Sequence, residues 1–454
     1  MARRLALRIL LEVDRGGRVR EGLAAAFAER DAPPRDRALA RELVSGVVRH
    51  QGSLDAVLGT LVDKPLERTH KTALAALRLG AYQLLHLDGI PDRAAVHATI
   101  EAQKALGAAR RTGFVNAVLR RVAGLVESRG EAGAPRRSLA RGDGSWVVLA
   151  ADVLPDPAED LAAHLAGAWS HPRWMVERWL ARHGRDDTLR ILAAGLARPP
   201  LSLHPADAHR AELMEALGER GIEFEEQGRC LLLGGVGRVE ELPGFADGWF
   251  AVQDATAAEV VPAMDVRLGQ GVLELCAAPG GKTLDIAERI GPEGALLAVD
   301  SSEARLGRLR GELERRGLSQ VGALVADATD PECLPSGLRG RPTPGFDRVL
   351  VDVPCSNTGV LGRRVEARWR VPSADRVIMS AEQGEHLLMV AASRVAVGGS
   401  VTYSTCSLEP EENEDTVRRF LAEDPEFRLS HERATLPLAG RHDGGYFAVL
   451  TRKG

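Results

Sequence analysis

The sequence predicts a multidomain chain: an all-α helical bundle, a small α+β linking module and a C-terminal doubly wound α/β domain. Three observations carry this. Apolar residues recur at helical spacing through residues 1–126, as in Leu5, Ile9, Leu10 and Val13, and again in Leu74, Leu77, Ala81, Leu84 and Leu85. The stretch "SRGEAGAPRRSLARGDGS", 128–145, is rich in Gly, Ser and Arg and poor in large apolar residues. From about residue 251, short apolar runs alternate with helical patterns. The expected division is 1–127 helical bundle, 128–145 flexible linker, 146–250 small α+β module and 251–454 α/β domain.

In chain order, "DAPPRDR" and "LDGIPDR" are turn signals that separate helices of the bundle. "HPRWMVERWLARHG" reads as a helix after a Pro start, and "AHRAELMEALGERG" as another, with "LSLHP" and "CLLLGG" as strands around it. Beyond 251, "GVLELCAA", "GALLAVD", "VGALVAD", "RVLVDVPC" and "GGSVTYSTCS" read as strands. Between them lie the helical patterns "KTLDIAERI", "EARLGRLRGELERRG" and "EQGEHLLMVAASRVA". The tail offers two more strands, "FRLSHE" and "GYFAVLTRK".

Composition narrows the class. The 454 residues are 44% hydrophobic, ordinary for a globular chain with a sizeable core. No run of about 18 apolar residues occurs, so no membrane partner is expected. Arg8, Glu12 and Asp14 interrupt the apolar N-terminus, which reads as an amphipathic helix and not a signal peptide. The five cysteines are scattered, with no C-x-x-C pair, which argues against disulfides or a metal site and for a reduced, cytoplasmic protein. Residues 1–134 hold 22 Arg and Lys against 15 Asp and Glu, whereas the remainder hold 37 against 48. A basic front on an acidic chain fits an anionic partner such as nucleic acid.

The α/β domain places its reactive residues at strand ends. Doubly wound sheets bind ligands outside the carboxyl ends of their strands. Cys276, Asp300, Asp327, Asp352, Cys355 and Cys406 all fall at or near such ends. "ELCAAPGGKT" is a glycine turn in which Gly280 and Gly281 admit a ligand to the backbone. It matches neither the Walker A spacing nor G-x-G-x-x-G, which disfavours ATP and dinucleotides. Asp300 is placed to accept ribose hydroxyls, and Asp327 to meet an adenine edge. Singly, each Asp also suits a turn; as an ordered series they favour a nucleoside without a polyphosphate, S-adenosylmethionine above all. Lys282 is one of only five lysines among 59 basic residues, so a point charge inside this loop is conspicuous.

"VDVPCSNTG" sets Asp352 and Cys355 on a turn stiffened by Pro354, and "STCS" sets Cys406 at the end of a neighbouring strand. The two thiols should converge on one cleft. A thiol facing this cofactor suits methylation of pyrimidine carbon 5. That carbon is a poor nucleophile until a thiolate adds to carbon 6. Asp352 is suited to the N3/N4 edge of cytosine. The carboxylates after Cys406, in "LEPEENE", are expected in the first turn of the next helix, where its dipole favours them.

These segments resemble a known family. "LCAAPGGKT", "DVPCSNTG", "YSTCSLEPEENE" and the preceding "GWFAVQDATA" are similar to the motifs of RNA 5-methylcytosine methyltransferases. "RDRALARELVSGVVRH", "LRLGAYQLLHLDGIP" and "GFVNAVLRRV" resemble the NusB-type RNA-binding bundle. The resemblance implies a NusB-like bundle joined to a Rossmann-like S-adenosylmethionine methyltransferase domain. It implies small-subunit ribosomal RNA as the partner, with a monomer acting on it. It further implies Cys406 as nucleophile and Cys355 in product release, with Asp352 and Lys282 beside them. Cys276, Ala277, Ala278, Pro279, Gly280, Gly281 and Lys282, with Asp300, Arg305, Asp327 and Asp352, would line the cofactor and target pocket. The same chemistry on transfer RNA, or a non-catalytic RNA-binding assembly factor, are the alternatives. Two departures stand out. "RRVEARWR", 363–370, lacks the Pro-Asp the family often carries there, and Asn357 replaces a small Gly. Arg363, Arg364, Arg368 and Arg370 are expected to face phosphates.

Overall fold

The computed structural model describes residues 1–29, 32–235, 237–337, 345–371 and 373–454. The chain forms two compact units, Met1–Arg198 with Leu361–Pro372, and Pro199–Val360 with Ser373–Gly454.

In the first unit, amphipathic helices run Ala2–Val13, Val19–Glu29, Pro34–Gly59, Lys71–His86, Asp92–Lys104 and Thr112–Leu125. Of the helical stripes read from the sequence, Leu5, Ile9, Leu10, Leu77, Ala81, Leu84 and Leu85 are buried in one core, while Val13 and Leu74 are half-buried. Helices Leu161–Ala168 and Arg173–Leu196 complete the unit; the latter is broken at Gly184, whose φ is +72°.

The stretch expected to be a flexible linker is ordered. Val126–Gly130, Ser138–Ala140 and Trp146–Leu149 form a three-stranded antiparallel sheet. Leu139, Val147 and Leu149 enter the helical core. Composition misled because two of the arginines here bond the end of a helix. Arg129 donates to the carbonyl of Leu84 at 2.6 Å and Arg141 to that of His86 at 2.9 Å. Those carbonyls end the helix Lys71–His86, where no intrahelical donor remains and cations are favoured.

The second unit holds two sheets. In the smaller, strands run in the order Phe224–Gln227, Cys230–Leu233, Leu201–Pro205, Phe250–Val252, all antiparallel. Leu213 and Leu217 of the helix Arg210–Glu219 pack on Leu203, Leu231, Leu233 and Phe250. The larger sheet contains β1 (Gly271–Leu275), β2 (Ala295–Asp300), β3 (Val321–Val325), β4 (Phe346–Asp352), β5 (Val395–Thr405), β6 (Phe427–Thr435) and β7 (Gly445–Arg452). Their order is β3-β2-β1-β4-β5-β7-β6, parallel through β5, with β7 and β6 antiparallel. The tail thus adds the two strands expected of it.

This order positions the site. Strand β4 lies between β1 and β5, pairing Val351 with Leu275 and Asp352 with Ser404. The carboxyl ends of these three parallel strands therefore meet on one edge, bringing the loops after Leu275, Asp352 and Thr405 together.

Candidate active site

The loop after β1 makes a tight turn into the helix Gly281–Ile290. Gly280 has φ +110°, and a Cβ there would lie 2.3 Å from Leu309 Cδ1. Only glycine is accommodated at this position. Cys276 also has a positive φ, +60°. Burial, with Asp352 and Asp300 nearby, pushes its thiol up to about 12, so it stays neutral at physiological pH.

Asp300 ends β2 with only 1% of its surface exposed. Its Oδ2 accepts from the Ala278 N–H at 3.2 Å, which ties β2 to the glycine loop. Its Oδ1 accepts from the Ser302 N–H at 2.9 Å and pairs with Arg305 at 2.8 Å. Three of about four carboxylate lone-pair positions are thus used within the protein. The sequence had read this carboxylate as acceptor for two ribose hydroxyls; the fold gives it a structural task as well. Asp327, exposed just past β3, accepts from the Thr329 N–H at 2.9 Å and hydroxyl at 2.7 Å; these bonds hold its carboxyl below the usual range.

Lys282 reaches across from the first helical turn to Asp352 at the end of β4, with Nζ 2.8 Å from Oδ2. Beneath them lies Glu274 on β1, which sequence reasoning did not single out. It is 1% exposed, and burial pushes its carboxyl up to about 8 against the pull of the Thr283 hydroxyl and Lys282. A lone Glu within an apolar strand run was the available signal.

The two thiols converge as expected. Cys355 Sγ lies 3.4 Å from Cys406 Sγ, and Cys406 Sγ lies 3.4 Å from Asn357 Oδ1. Asn357 adopts φ +63°, a conformation that Asn tolerates better than most side chains, so it substitutes for Gly without losing the turn. Its side-chain N–H donates to the Cys355 carbonyl at 2.6 Å, which aims its oxygen at Cys406. The hydrogen bond that the Cys355 thiol donates to Cys406, then burial, hold the Cys355 proton tightly and push that thiol well above its ordinary value.

The carboxylates after Cys406 divide. Glu414 and Asp415 do occupy the first turn of the helix Glu414–Glu423. Glu412 does not: it sits in a 3-10 turn, Pro410–Glu412, and is buried. Its Oε1 accepts from the Ser356 N–H at 2.7 Å and its Oε2 from the Ser356 hydroxyl at 2.6 Å. Ser407 and Thr358 join this network, their hydroxyl oxygens 3.3 Å apart. None of these four residues was a site candidate from sequence, because the carboxylates suited the first turn of the next helix and small hydroxyl residues carry no signal of their partners.

The arginine cluster is the clearest correction. Arg363, Arg364 and Arg370 are exposed, but Arg368 is wholly buried in the first unit. It donates to the carbonyls of Ser170 at 3.0 Å, Gly195 at 2.5 Å and Leu361 at 3.1 Å. Burial, with Arg49 nearby, brings its pKa down to about 9. A guanidinium engaged in this way is a structural anchor and not a phosphate ligand. Trp369 Nε1 adds a bond to the Val48 carbonyl at 2.8 Å, and Arg49 one to the Gly362 carbonyl at 2.9 Å. Among the described residues no group of three or more His, Cys, Asp or Glu is placed to hold a metal, and no helix is long and apolar enough to cross a membrane.

Three family models match separate stretches of the chain. Residues 261–443 match the family described as 16S rRNA methyltransferase RsmB/F. Residues 1–124 match the NusB family, and 171–235 the ferredoxin-like domain of RsmF/B-like methyltransferases. A probable ribosomal RNA small subunit methyltransferase B of Synechocystis sp. is 32% identical over 444 residues, covering 96% of this chain and 92% of its own. Ribosomal RNA small subunit methyltransferase B of Vibrio cholerae is 32% identical over 452 residues, covering 97% and 95%. Among solved structures, PH0851 superposes with a TM-score of 0.77 at 23% identity, covering 99% of this chain and 98% of that one, a likeness of fold.

Proposed function

Because the chain belongs to the 16S rRNA methyltransferase RsmB/F family, we propose that it methylates carbon 5 of a cytosine in small-subunit ribosomal RNA through a Cys406–C6 adduct. The chain is a methyltransferase, and S-adenosylmethionine is its cofactor. The residues present fit that group: Gly280 leaves a cradle that a Cβ would fill, and Asp300 and Asp327 stand at the next two strand ends. In this reading residues 276–282, Asp300, Arg305, Asp327 and Asp352 hold the cofactor, which supplies an electrophilic methyl group when bound.

The protein's own part is to make carbon 5 nucleophilic. The Cys406 thiolate forms a bond to C6, and the C5=C6 π electrons move onto carbon 5 and into the ring. Asp352, held by Lys282, takes the N3/N4 edge and relays to N3 the proton that Cys406 gives up in becoming a thiolate. After carbon 5 has been methylated, the Cys355 thiolate takes its proton, the C5=C6 bond re-forms, the S–C6 bond breaks with its electron pair returning to Cys406, and the N3 proton goes back through Asp352 to that sulfur. Cys355 is matched to this second half. In the free enzyme Cys406, by hydrogen bond and charge, is a main cause of Cys355 keeping its proton. Once Cys406 is a neutral thioether its charge no longer opposes ionisation, so Cys355 releases its proton to solvent more readily and its thiolate serves as the base for carbon 5.

The observation that carries this reading is the 3.4 Å approach of the two thiols beside the Lys282–Asp352 pair. The test is to incubate the protein with S-adenosylmethionine and unmodified 16S RNA or transfer RNA, then separate the nucleosides. 5-Methylcytidine from 16S RNA is expected. Methyl groups on another atom, or on transfer RNA alone, overturn the proposal.

A further inference from the structure

We propose that Glu412 is a positioning residue that sets the separation of the Cys355 and Cys406 thiols; the inference rests on the reading of those thiols as the reaction centre. The geometry is a clamp. Through its side chain Glu412 holds Ser356, the residue after Cys355, by both the N–H and the hydroxyl. Through its main chain it is tied to β5, which leads directly into Cys406: the Tyr403 hydroxyl donates to the Glu412 carbonyl at 2.6 Å. Tyr403 is itself fully buried, so this end of the clamp is fixed by the core. One residue thus spans the two segments whose ends bear the thiols.

The surrounding bonds share that direction. Ser356 and Ser407 hydroxyl oxygens lie 3.1 Å apart, the Gly359 N–H donates to the Cys406 carbonyl at 3.0 Å, and the Leu408 N–H to the Thr358 hydroxyl at 2.9 Å. Glu412 is the charged member of this set and is 1% exposed. A buried carboxylate is costly unless its lone pairs are satisfied, and charge-assisted bonds are shorter and stronger than neutral ones. A role in folding alone would be met by an apolar filler of similar volume. A two-pronged acceptor aimed at the residue after Cys355 orients that turn instead. The Glu412 charge is also among the causes holding the proton on Cys355.

The thiols themselves report the geometry without RNA. Diamide takes up two protons and two electrons from a pair of thiols as their S–S bond forms, and its rate depends on how often the sulfurs meet. Glu412→Ala is expected to slow Cys355–Cys406 oxidation about tenfold, and methyl transfer about a hundredfold with the KM for RNA little changed. Glu412→Gln keeps an acceptor for the Ser356 N–H and is expected to hold the oxidation rate within about threefold of wild type. A folded Glu412→Ala protein that oxidises at the wild-type rate overturns the proposal. Where Glu412→Ala does not fold, Ser356→Ala decides: it cuts one prong only, and slowed oxidation supports the clamp while a wild-type rate overturns it. Slowed oxidation in a protein whose wild type methylates no RNA leaves the clamp standing and overturns the proposed reaction.

Discussion

Cys355 Sγ and Cys406 Sγ lie 3.4 Å apart at the ends of adjacent strands β4 and β5. The pairing implies a division of labour that single substitutions separate. Cys406→Ala is expected to abolish methyl transfer and leave S-adenosylmethionine affinity within about threefold. Cys355→Ala is expected to form the RNA adduct and release it slowly, giving a retarded band on a denaturing gel. The same band from Cys406→Ala would exchange the two roles.

Lys282 and Asp352 should act as one unit. Lys282→Met and Asp352→Asn are each expected to lower kcat about a hundredfold, and the double variant little more than either alone. Single-turnover methylation of RNA by the four proteins measures the coupling. Full additivity would mean that the 2.8 Å pair has no joint role.

Gly280→Ala tests the cofactor cradle. An alanine at φ +110°, with Leu309 at 2.3 Å, forces the loop to shift. Strain of about 1–3 kcal/mol and a displaced helix N-terminus are expected to weaken S-adenosylmethionine binding tenfold or more, read by calorimetry. Unaltered affinity would place the cofactor elsewhere.

Arg368→Ala should destabilise the first unit. It removes the donor from three buried carbonyls and leaves a cavity, at a cost on the order of 3 kcal/mol. Urea unfolding followed by helical circular dichroism measures it. Salt-dependent loss of RNA affinity with unchanged stability would restore Arg368 as a phosphate ligand.

Acidification offers a test with a defined sign. Burial holds His50 and His171 well below the ordinary imidazole range and His86 at about 3. His50 and His86 stack with ring centroids 3.9 Å apart. A depressed histidine pKa means that the unfolded chain binds protons the fold refuses. Stability is then present above about pH 6.5 and lost as pH falls below it, by up to about 1.4 kcal/mol per pH unit per group. Glu274 has the opposite sign: its raised pKa costs stability as pH climbs from 4.5 towards about 8. His86→Phe should flatten the acid side of the stability profile and Glu274→Gln the neutral side. Parallel profiles for wild type and variants would contradict both assignments.

Much of this was legible before the fold was known. Helical periodicity marked the bundle, and strand–helix alternation marked the sheet. Local chemistry located Gly280, Lys282, Asp352, Cys355 and Cys406, because strand-end loops carry their residues to one edge whatever packs around them. Other features depend on partners distant in sequence. Residues 128–145 looked like a linker because composition does not reveal that Arg129 and Arg141 find the terminal carbonyls of a helix some 45 to 55 residues earlier. Arg368 looked like a phosphate ligand because charge predicts exposure unless acceptors meet it in the core, and Ser170 and Gly195 do so from about 200 and 170 residues away. Glu412 was expected in the first turn of the next helix, because no local signal shows that Ser356, 56 residues upstream, closes on it. The sequence by itself determined the chemistry available and the order in which strands would present it. Tertiary structure alone decided which polar groups are anchors, since the cost of burying a charge is set by the partners that meet it there.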